Sequence, residues 1–467
     1  MQLDGLLGSH GIAPAGRLLE QVREWLGGPG WLELPTLLWL GSGDAALRGL
    51  CAAGVALSLL LLAGASPRLA LAGLWASYLS FVSVGGIFLA YQWDVLLLET
   101  LLVAVWVAPP GWLPFRRPWR APHPLAIWLP RCLLFKLMLL SGLVKLLSGD
   151  PTWRGLTALS FHFETQPIPT ATSWLAHATP QPLLRIATLG SLAVELLLPP
   201  LVFAGRRARQ VACAGFVGMQ LAIAATGNYG FFNLLTLALC TTLLDDRALA
   251  RMLPRRVLVL AAAPAGEPPA QRLPRLRRAA FAVGAVGLLL LSLLSAADRL
   301  GVAPSRPAAL QALERRIAPF HLASPYGLFA VMTTERDEVE ILGSDDGESW
   351  RPYVFRWKPG PLERAPSFAP LHMPRLDWQL WFAALARCEQ SPWLGGLFAR
   401  LLENEPAVLA LLAENPFPDA PPRLVRAELW RYRFTAPGER GWWKRERRGP
   451  FCPAFGLRDG RLVVAPG

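Results

Sequence analysis

The chain has 467 residues, of which 53% are hydrophobic and only 17% are charged, and its formal net charge is +13. A soluble globular protein of this length is rarely so apolar. The apolar residues also gather into blocks about as long as the roughly 20 residues with which a helix crosses a bilayer. The composition therefore excludes an ordinary soluble protein and predicts a membrane protein with several spans.

The first predicted element is an amphipathic helix at residues 16–26. Leu18, Leu19 and Val22 recur at helical spacing there, and Glu20 lies on the opposite face. A helix of this kind lies in the plane of a membrane surface. The alternative is a helix that packs on another domain of the same chain.

Eight apolar blocks follow, so we predict a polytopic α-helical membrane protein with about eight spans. The blocks 93–108 and 228–244 are short, and each is either a re-entrant segment or a span next to a tight turn. The eight blocks are 46–65, 69–90, 93–108, 125–148, 183–204, 208–226, 228–244 and 279–296.

Arginine is concentrated in every second connection between these blocks. The rich connections hold fourteen arginines and comprise residues 66–68, 109–124, 205–207 and 245–278. The intervening connections hold only Arg154 and comprise residues 91–92, 149–182 and 227. By the positive-inside rule the rich connections lie in the cytoplasm and both termini lie on the opposite side. The basic charge therefore indicates membrane topology, and no nucleic-acid partner is expected.

The composition changes after the last block, at about residue 297. Residues 326–334 and 338–357 are strand-like, and the second stretch carries an Asp-Asp-Gly hairpin signal. Residues 374–388 predict an amphipathic helix, because Trp378, Trp381, Phe382 and Leu385 recur at helical spacing. Two shorter helical stretches follow, and residues 423–437 and 442–448 predict strands. This region is expected to form a soluble α+β or β-sandwich-like domain.

Three units follow from these patterns: an interfacial segment at 1–45, a transmembrane helical domain at 46–297 and an extracytoplasmic domain at 298–467. Cys388 and Cys452 both lie in the outer domain, where the compartment permits disulfides. They either pair with each other or remain free thiols.

Two lysines interrupt the fourth apolar block, where a central charge costs about 2.5 to 3.5 kcal/mol on insertion scales. At a helical rise of about 1.5 Å per residue, Lys136 reaches the depth of Glu195 near the middle of the bilayer. Lys145 reaches the outer depth of Asp94 and Glu99. We therefore predict the pairs Lys136–Glu195 and Lys145 with Glu99 or Asp94. The network is either purely structural or lines a pocket open to the outer side.

The outer connection after Lys145 is rich in polar and aromatic residues. Asp150, Trp153, His162 and Glu164 are expected to join the same network or pocket. No metal is predicted, because the histidines of this connection have no standard ligand spacing. Gln220, Asn228 and Asn233 are further polar residues in or beside the apolar blocks.

Trp442 and Trp443 belong to the sequence GWWKRERR in the outer domain. Exposed aromatic residues of this kind contact a membrane surface or an apolar patch of a client protein. The alternative is that they pack at the end of a strand.

Several long motifs resemble the lipase maturation factor family, in the family's order. They are YQWDVLLLET, SGLVKLLSGDPTWRGLTALSFHFETQPIP, NYGFFN, YGLFAVMTTERDEVEILGSDDGESWRPYVFRWKPG, HMPRLDWQLWFAAL, NPFPDAPPRLVRAELWRYRFT and WWKRE. The resemblance implies a membrane-embedded folding factor, without a cofactor, that assists secreted lipase-like clients. Animal members reside in the endoplasmic reticulum membrane. The arginine-rich composition favours a bacterial inner membrane here, with the outer domain in the periplasm.

A second, shorter resemblance concerns the segment around Lys145. Ser141-Gly142-Leu143-Val144-Lys145-Leu146, followed by Asp150 and Trp153, is similar to the active-site segment of vitamin K-dependent gamma-glutamyl carboxylases. The resemblance implies a catalytic role for Lys145 as a base acting on a quinone or another lipid-soluble substrate. An intramembrane enzyme is therefore the alternative function.

Overall fold

The computed structural model describes residues 2–113, 122–252, 275–302 and 306–465. Several arginines of the predicted cytoplasmic connections lie outside the described residues, namely Arg116, Arg117, Arg120, Arg255, Arg256 and Arg272.

Two short helices precede the membrane domain, α1 (Gln2–Leu7) and α2 (Ala15–Leu26). Leu6, Leu7 and Leu19 are buried in one core together with helices of the C-terminal domain. The N-terminal segment therefore lies on the same side of the membrane domain as the C-terminal domain. One face of α2 is buried in protein, while Trp25 is 80% exposed, so a location of α2 at the membrane surface stays a prediction.

Six helices of the described part are long and apolar enough to cross a membrane. They are α3 (Asp44–Leu62), α4 (Pro67–Gly85), α6 (Pro124–Leu147), α10 (Gln181–Leu197), α11 (Arg206–Thr226) and α14 (Arg275–Arg299). A 3-10 helix at Pro199–Phe203 extends α10. The remaining two predicted spans are the shorter helices α5 (Gln92–Val107) and α12 (Phe231–Cys240). Helix α6 lies at the centre of the domain and packs against α5, α10, α12 and α14.

The outer connection between α6 and α10 folds into three short helices, α7 (Pro151–Arg154), α8 (Ala158–Thr165) and α9 (Ala171–His177). Asp150 caps α7 by accepting a hydrogen bond from the backbone N–H of Thr152 at 2.6 Å. Thr170 and Ser173 form a capping box at α9. Local caps therefore define the helices of this loop.

Two of the arginine-bearing connections meet at one end of the helical domain. Arg206 forms an ion pair with Asp245, next to α13 (Asp246–Met252). Arg131 donates a hydrogen bond of 2.8 Å to the carbonyl of Thr242. The C-terminal domain contacts the opposite end, as the alternation of arginines along the chain predicts.

The C-terminal domain is an α+β unit, as predicted. Its sheet has five antiparallel strands in the order β2-β1-β5-β6-β7, and a second sheet pairs β3 with β4. The strands are β1 (Arg336–Ser344), β2 (Arg351–Pro352), β3 (Val354–Phe355), β4 (Leu412–Glu414), β5 (Leu424–Phe434), β6 (Trp443–Arg458) and β7 (Arg461–Val464). The helices are α15 (Ala308–Ile317), α16 (Arg375–Ala384), α17 (Trp393–Leu402) and α18 (Pro406–Leu409).

The predicted hairpin is confirmed, because β1 pairs antiparallel with β2 across the Asp-Asp-Gly turn. The predicted strand at 326–334 is wrong. Its backbone bonds to the membrane domain instead of a sheet: the N–H of Met332 donates to Asp150 at 2.5 Å, and the carbonyl of Phe329 accepts from Trp153 at 2.9 Å.

Cys388 and Cys452 form a disulfide, with their Cα atoms 5.4 Å apart. It joins the turn after α16 to strand β6. The open alternative of two free thiols is therefore excluded.

Candidate functional site in the membrane core

Both lysines of α6 are buried in ion pairs, but their partners are exchanged relative to the prediction. The Nζ atom of Lys136 lies 2.7 Å from Glu99 on α5. The Nζ atom of Lys145 lies 2.5 and 2.6 Å from the two carboxylate oxygens of Glu195 on α10. The predicted pairs Lys136–Glu195 and Lys145 with Glu99 or Asp94 are therefore wrong.

The prediction fails because it measures the depth of each side chain from the end of its own apolar block, as though all the helices started at the same level in the membrane. Lys145 lies about 3 Å from the end of α6 at Leu147, whereas Glu195 lies about 21 Å along α10 from Gln181 at 1.5 Å per residue. Because the two side chains touch, α10 must begin well beyond the level at which α6 ends.

The Lys136–Glu99 pair is fully enclosed by protein. Lys136 also lies 3.3 Å from the hydroxyl of Ser292 on α14, and its Nζ lies 5.1 Å from the ring centroid of Tyr326. The second carboxylate oxygen of Glu99 accepts a hydrogen bond from the backbone N–H of Ser324. This pair therefore connects three spans to the segment that leads into the C-terminal domain.

Asp94 pairs with a residue of the C-terminal domain. Arg375, at the start of α16, binds both carboxylate oxygens, with distances of 2.7 and 2.8 Å. The hydroxyl of Tyr78 on α4 donates a further bond of 2.5 Å to Asp94. A bidentate arginine pair of this geometry is strong and directional. It fixes α16 against the outer ends of α4 and α5.

Asp150 and Glu164 also join the outer loop to the C-terminal region. Glu164 accepts a hydrogen bond of 2.8 Å from the backbone N–H of Phe434 on β5. Asp150 accepts from both Thr152 and Met332. Burial raises the pKa of Asp150, but these hydrogen bonds outweigh burial and hold its pKa below the usual value. Both carboxylates therefore have structural partners.

Arg336 on β1 forms the centre of this contact, and it was not identified from the sequence. It is 1% exposed. Its guanidinium donates to the carbonyls of Glu164 and Pro167 at 2.8 and 2.9 Å, to that of Gln166, and to the carboxylate of Glu338 at 2.6 Å. A single arginine thus satisfies three loop carbonyls, and in one sequence it has no signal that distinguishes it from other strand arginines.

The remaining predicted residues lie around a cavity of about 510 Å³ between α6, α8, α10, α11 and α12. Lys145, Trp153, His162 and Glu195 line it. Asp94, Glu99, Lys136, Asp150 and Glu164 do not belong to its lining. The predicted network therefore separates into a structural group and a cavity group.

His162 is the titratable group at the outer end of this cavity. Its Nε2 lies 3.4 Å from the hydroxyl of Tyr229, and its ring packs edge-on against Phe329 with centroids 4.8 Å apart. Burial, together with the nearby charge of Lys145, lowers the pKa of His162 to about 4. The imidazole is therefore neutral at neutral pH.

The indole of Trp153 covers the lysine from the outer side. The Nζ atom of Lys145 lies 4.8 Å from its ring centroid, within cation–π distance.

Among the described residues, no group of three His, Cys, Asp or Glu side chains is placed to hold a metal ion.

The tryptophans of the outer domain differ from the expectation of exposed aromatics. Trp443 is 3% exposed and stacks on Phe434 with centroids 4.5 Å apart. It cannot contact a client or the membrane, so its assignment as a contact residue is wrong and the strand-end alternative holds. Trp442 is half-buried against Trp174, and a contact role for it stays a prediction.

Comparisons with known proteins agree with this two-part architecture. The family model described as the lipase maturation factor transmembrane domain matches residues 1–251, and the model of the lipase maturation factor C-terminal domain matches residues 322–453. No solved structure matches the chain.

Named relatives align over almost the whole chain. Lipase maturation factor 2 of Homo sapiens is 36% identical over 99% of this chain and 80% of the relative. Lipase maturation factor 1 of Bos taurus is 34% identical over 97% of this chain and 85% of the relative. With both domains matched and near-complete coverage, the chain belongs to the lipase maturation factor family.

Proposed function

We propose that this protein is a membrane-embedded maturation factor that assists secreted lipase-like clients to reach an active fold. The observation that carries the proposal is the near full-length similarity to proteins named lipase maturation factors 1 and 2. The proposed mechanism is non-enzymatic: the outer domain offers a binding surface while the client folds.

The attachment of the outer domain supports a scaffold of this kind. Arg375 binds Asp94 in the membrane domain, and Arg336 binds the carbonyls of the outer loop. Removing one partner of a buried charge pair destabilises a protein by about 3 to 5 kcal/mol. The outer domain is thus presented in one orientation instead of on a flexible tether.

The ion pair of Lys145 also fits a structural role better than the carboxylase-like alternative. A general base needs a free amine within reach of the proton it removes. The Nζ atom of Lys145 instead donates to both carboxylate oxygens of Glu195. We therefore do not retain the intramembrane enzyme as a second proposal.

We further propose that the clients are met on the side of the membrane opposite to the arginine-rich connections. In a bacterial cell this side is the periplasm, and the protein would reside in the inner membrane. The disulfide between Cys388 and Cys452 supports an oxidising compartment for the outer domain.

The test is the specific activity of a secreted lipase, per amount of secreted lipase protein, in cells that lack this protein. The cells are complemented with wild type, with Lys145→Met/Glu195→Leu, or with an empty vector. We expect higher specific activity with wild type and with the double variant than with the vector. Equal lipase specific activity with wild type and with the empty vector would refute the proposal that the lipase is a client. Low specific activity with the double variant alone, at equal abundance of the variant in the membrane, would refute the non-enzymatic scaffold role.

A further inference from the structure

The cavity beside Lys145 has the properties of a ligand site, and nothing in the proposed maturation role requires one. Its volume of about 510 Å³ is in the range of small-molecule sites, roughly 300 to 1,000 Å³. Its walls are mainly apolar and include Leu137, Val194, Ile223 and Phe232.

The cavity opens between two membrane-spanning helices along a seam of small residues. On α10 these are Ala187 and Gly190, and on α11 they are Ala214, Gly218 and Ala222, all of them exposed and all of them in the cavity lining. Both helices are long and apolar enough to cross the membrane. The opening therefore faces the hydrocarbon of the bilayer, and a ligand would enter from the lipid.

Most hydroxyls that line the cavity are already hydrogen-bonded within their own helices. Four of them donate to backbone carbonyls three or four residues earlier: Ser141 to Leu137, Ser191 to Thr188, Thr226 to Ala222 and Thr236 to Phe232. These residues thus contribute walls that do not need a polar partner from a ligand.

The side chain of Asn233 differs from these hydroxyls, because one of its polar atoms is left without a hydrogen bond within the described part of the chain. It is 2% exposed and lines the cavity, and its amide nitrogen donates to the carbonyl of Gln220 at 3.0 Å. Its carbonyl oxygen Oδ1 has no hydrogen-bond partner among the residues that the structure describes. A buried acceptor without a partner costs about 1 to 3 kcal/mol. Because Oδ1 has almost no accessible surface, the side chain must shift for a ligand hydroxyl to reach it, and a hydroxyl donated to Oδ1 would then remove this cost.

The charges at the cavity select against an ionic ligand. Lys145 and Glu195 neutralise each other, and His162 is uncharged at neutral pH. A charged head group would have to be desolvated next to a pair that is already satisfied, which is unfavourable in an apolar site.

We propose that this cavity binds a neutral, single-chain lipid with a hydroxyl-bearing head, whose chain lies along the seam between α10 and α11 and whose hydroxyl donates to Asn233. A monoacylglycerol is the simplest member of this chemical class. The inference does not rest on the proposed function, because it uses only the geometry of the cavity.

The experiment is photo-crosslinking of the full chain in nanodiscs with a long-chain monoacylglycerol that carries a diazirine on its chain. The seam variant is Gly218→Leu, because a Cβ atom at Gly218 meets nothing within 4 Å and the side chain can occupy the opening without a backbone clash. Gly54→Leu on α3 is the matched control, since a Cβ atom there also meets nothing within 4 Å and α3 lies away from the cavity.

We expect labelled peptides from α10, α11 or α12, with labelling at least tenfold lower in Gly218→Leu and unchanged in Gly54→Leu. Equal labelling of wild type and Gly218→Leu, or labelling that maps only to other helices, would overturn the proposal.

Competition distinguishes head-group recognition from adsorption of any acyl chain. An unlabelled monoacylglycerol should compete at least tenfold better than the methyl ester of the same fatty acid, which has no hydroxyl, because a site that pairs a hydroxyl rejects the analogue that lacks it. It should also compete better than the free fatty acid, which is anionic. Equal competition by all three would overturn the proposed class of ligand.

Discussion

The Lys145–Glu195 pair allows a quantitative test of how charge is held in the membrane core. Lys145 and Glu195 are 7% and 5% exposed, and one ammonium group donates to both carboxylate oxygens. Lys145→Met alone would leave a buried carboxylate without its counter-charge. Removing one partner of a buried pair costs about 3 to 5 kcal/mol, whereas replacing both partners by apolar residues is often neutral. We therefore expect strong destabilisation by either single change and recovery in Lys145→Met/Glu195→Leu.

The assay is the free energy of unfolding in mixed micelles, measured by denaturing-detergent titration. The matched control is Lys145→Met/Glu99→Leu, which removes a carboxylate that is paired with Lys136. The control leaves two broken pairs, so its destabilisation should exceed that of Lys145→Met alone. Recovery in the control, together with none in Lys145→Met/Glu195→Leu, would refute the assignment of partners.

Three further results are expected. Arg336→Leu should destabilise the protein by about 3 kcal/mol and expose the outer domain to limited proteolysis, because it removes the donor of three loop carbonyls and one of the two cations paired with Glu338, the other being Lys358. Lys444→Ala, which breaks an exposed ion pair, should cost about 1 kcal/mol or less, and equal proteolysis of the two variants would contradict the docking role. Replacing Cys388 and Cys452 by serine should lower the free energy of unfolding by about 4 kcal/mol, because the disulfide closes a loop across a sequence separation of 64 residues. Identical gel mobility of the wild-type protein with and without reductant would mean that the disulfide is absent. His162 takes up a proton below pH about 6.5 in the unfolded chain, but only near its folded pKa of about 4 in the native protein. The free energy of unfolding should therefore fall by up to about 3 kcal/mol as the pH is lowered through this interval. His162→Gln should lack this part of the pH dependence in thermal unfolding, and an unchanged profile would contradict a buried neutral imidazole.

The predicted amphipathic helix of the outer domain illustrates what periodicity can and cannot determine. The spacing of Trp378, Trp381, Phe382 and Leu385 correctly indicated a helix, which is α16. Trp378 and Trp381 are buried, but Phe382 and Leu385 are 40% and 49% exposed. Periodicity gives the face of a helix, whereas the extent of burial depends on which other element covers that face.

The sequence by itself determined the class of protein, the approximate spans, the mixed helix and strand content of the outer domain and which ionisable residues of the membrane helices are buried. These properties are local, because composition and periodicity over about 20 residues decide whether a segment crosses a bilayer. The long motifs also identified the family, which the two domain matches confirm.

The tertiary structure alone decided which charges meet. Asp94 pairs with Arg375 across 281 residues of chain, and Arg336 reaches loop carbonyls about 170 residues away. Such partners depend on where each helix starts, how far it extends and how the outer domain docks, and no local pattern encodes these quantities. The division of one predicted network into structural pairs and an apolar cavity follows from that packing.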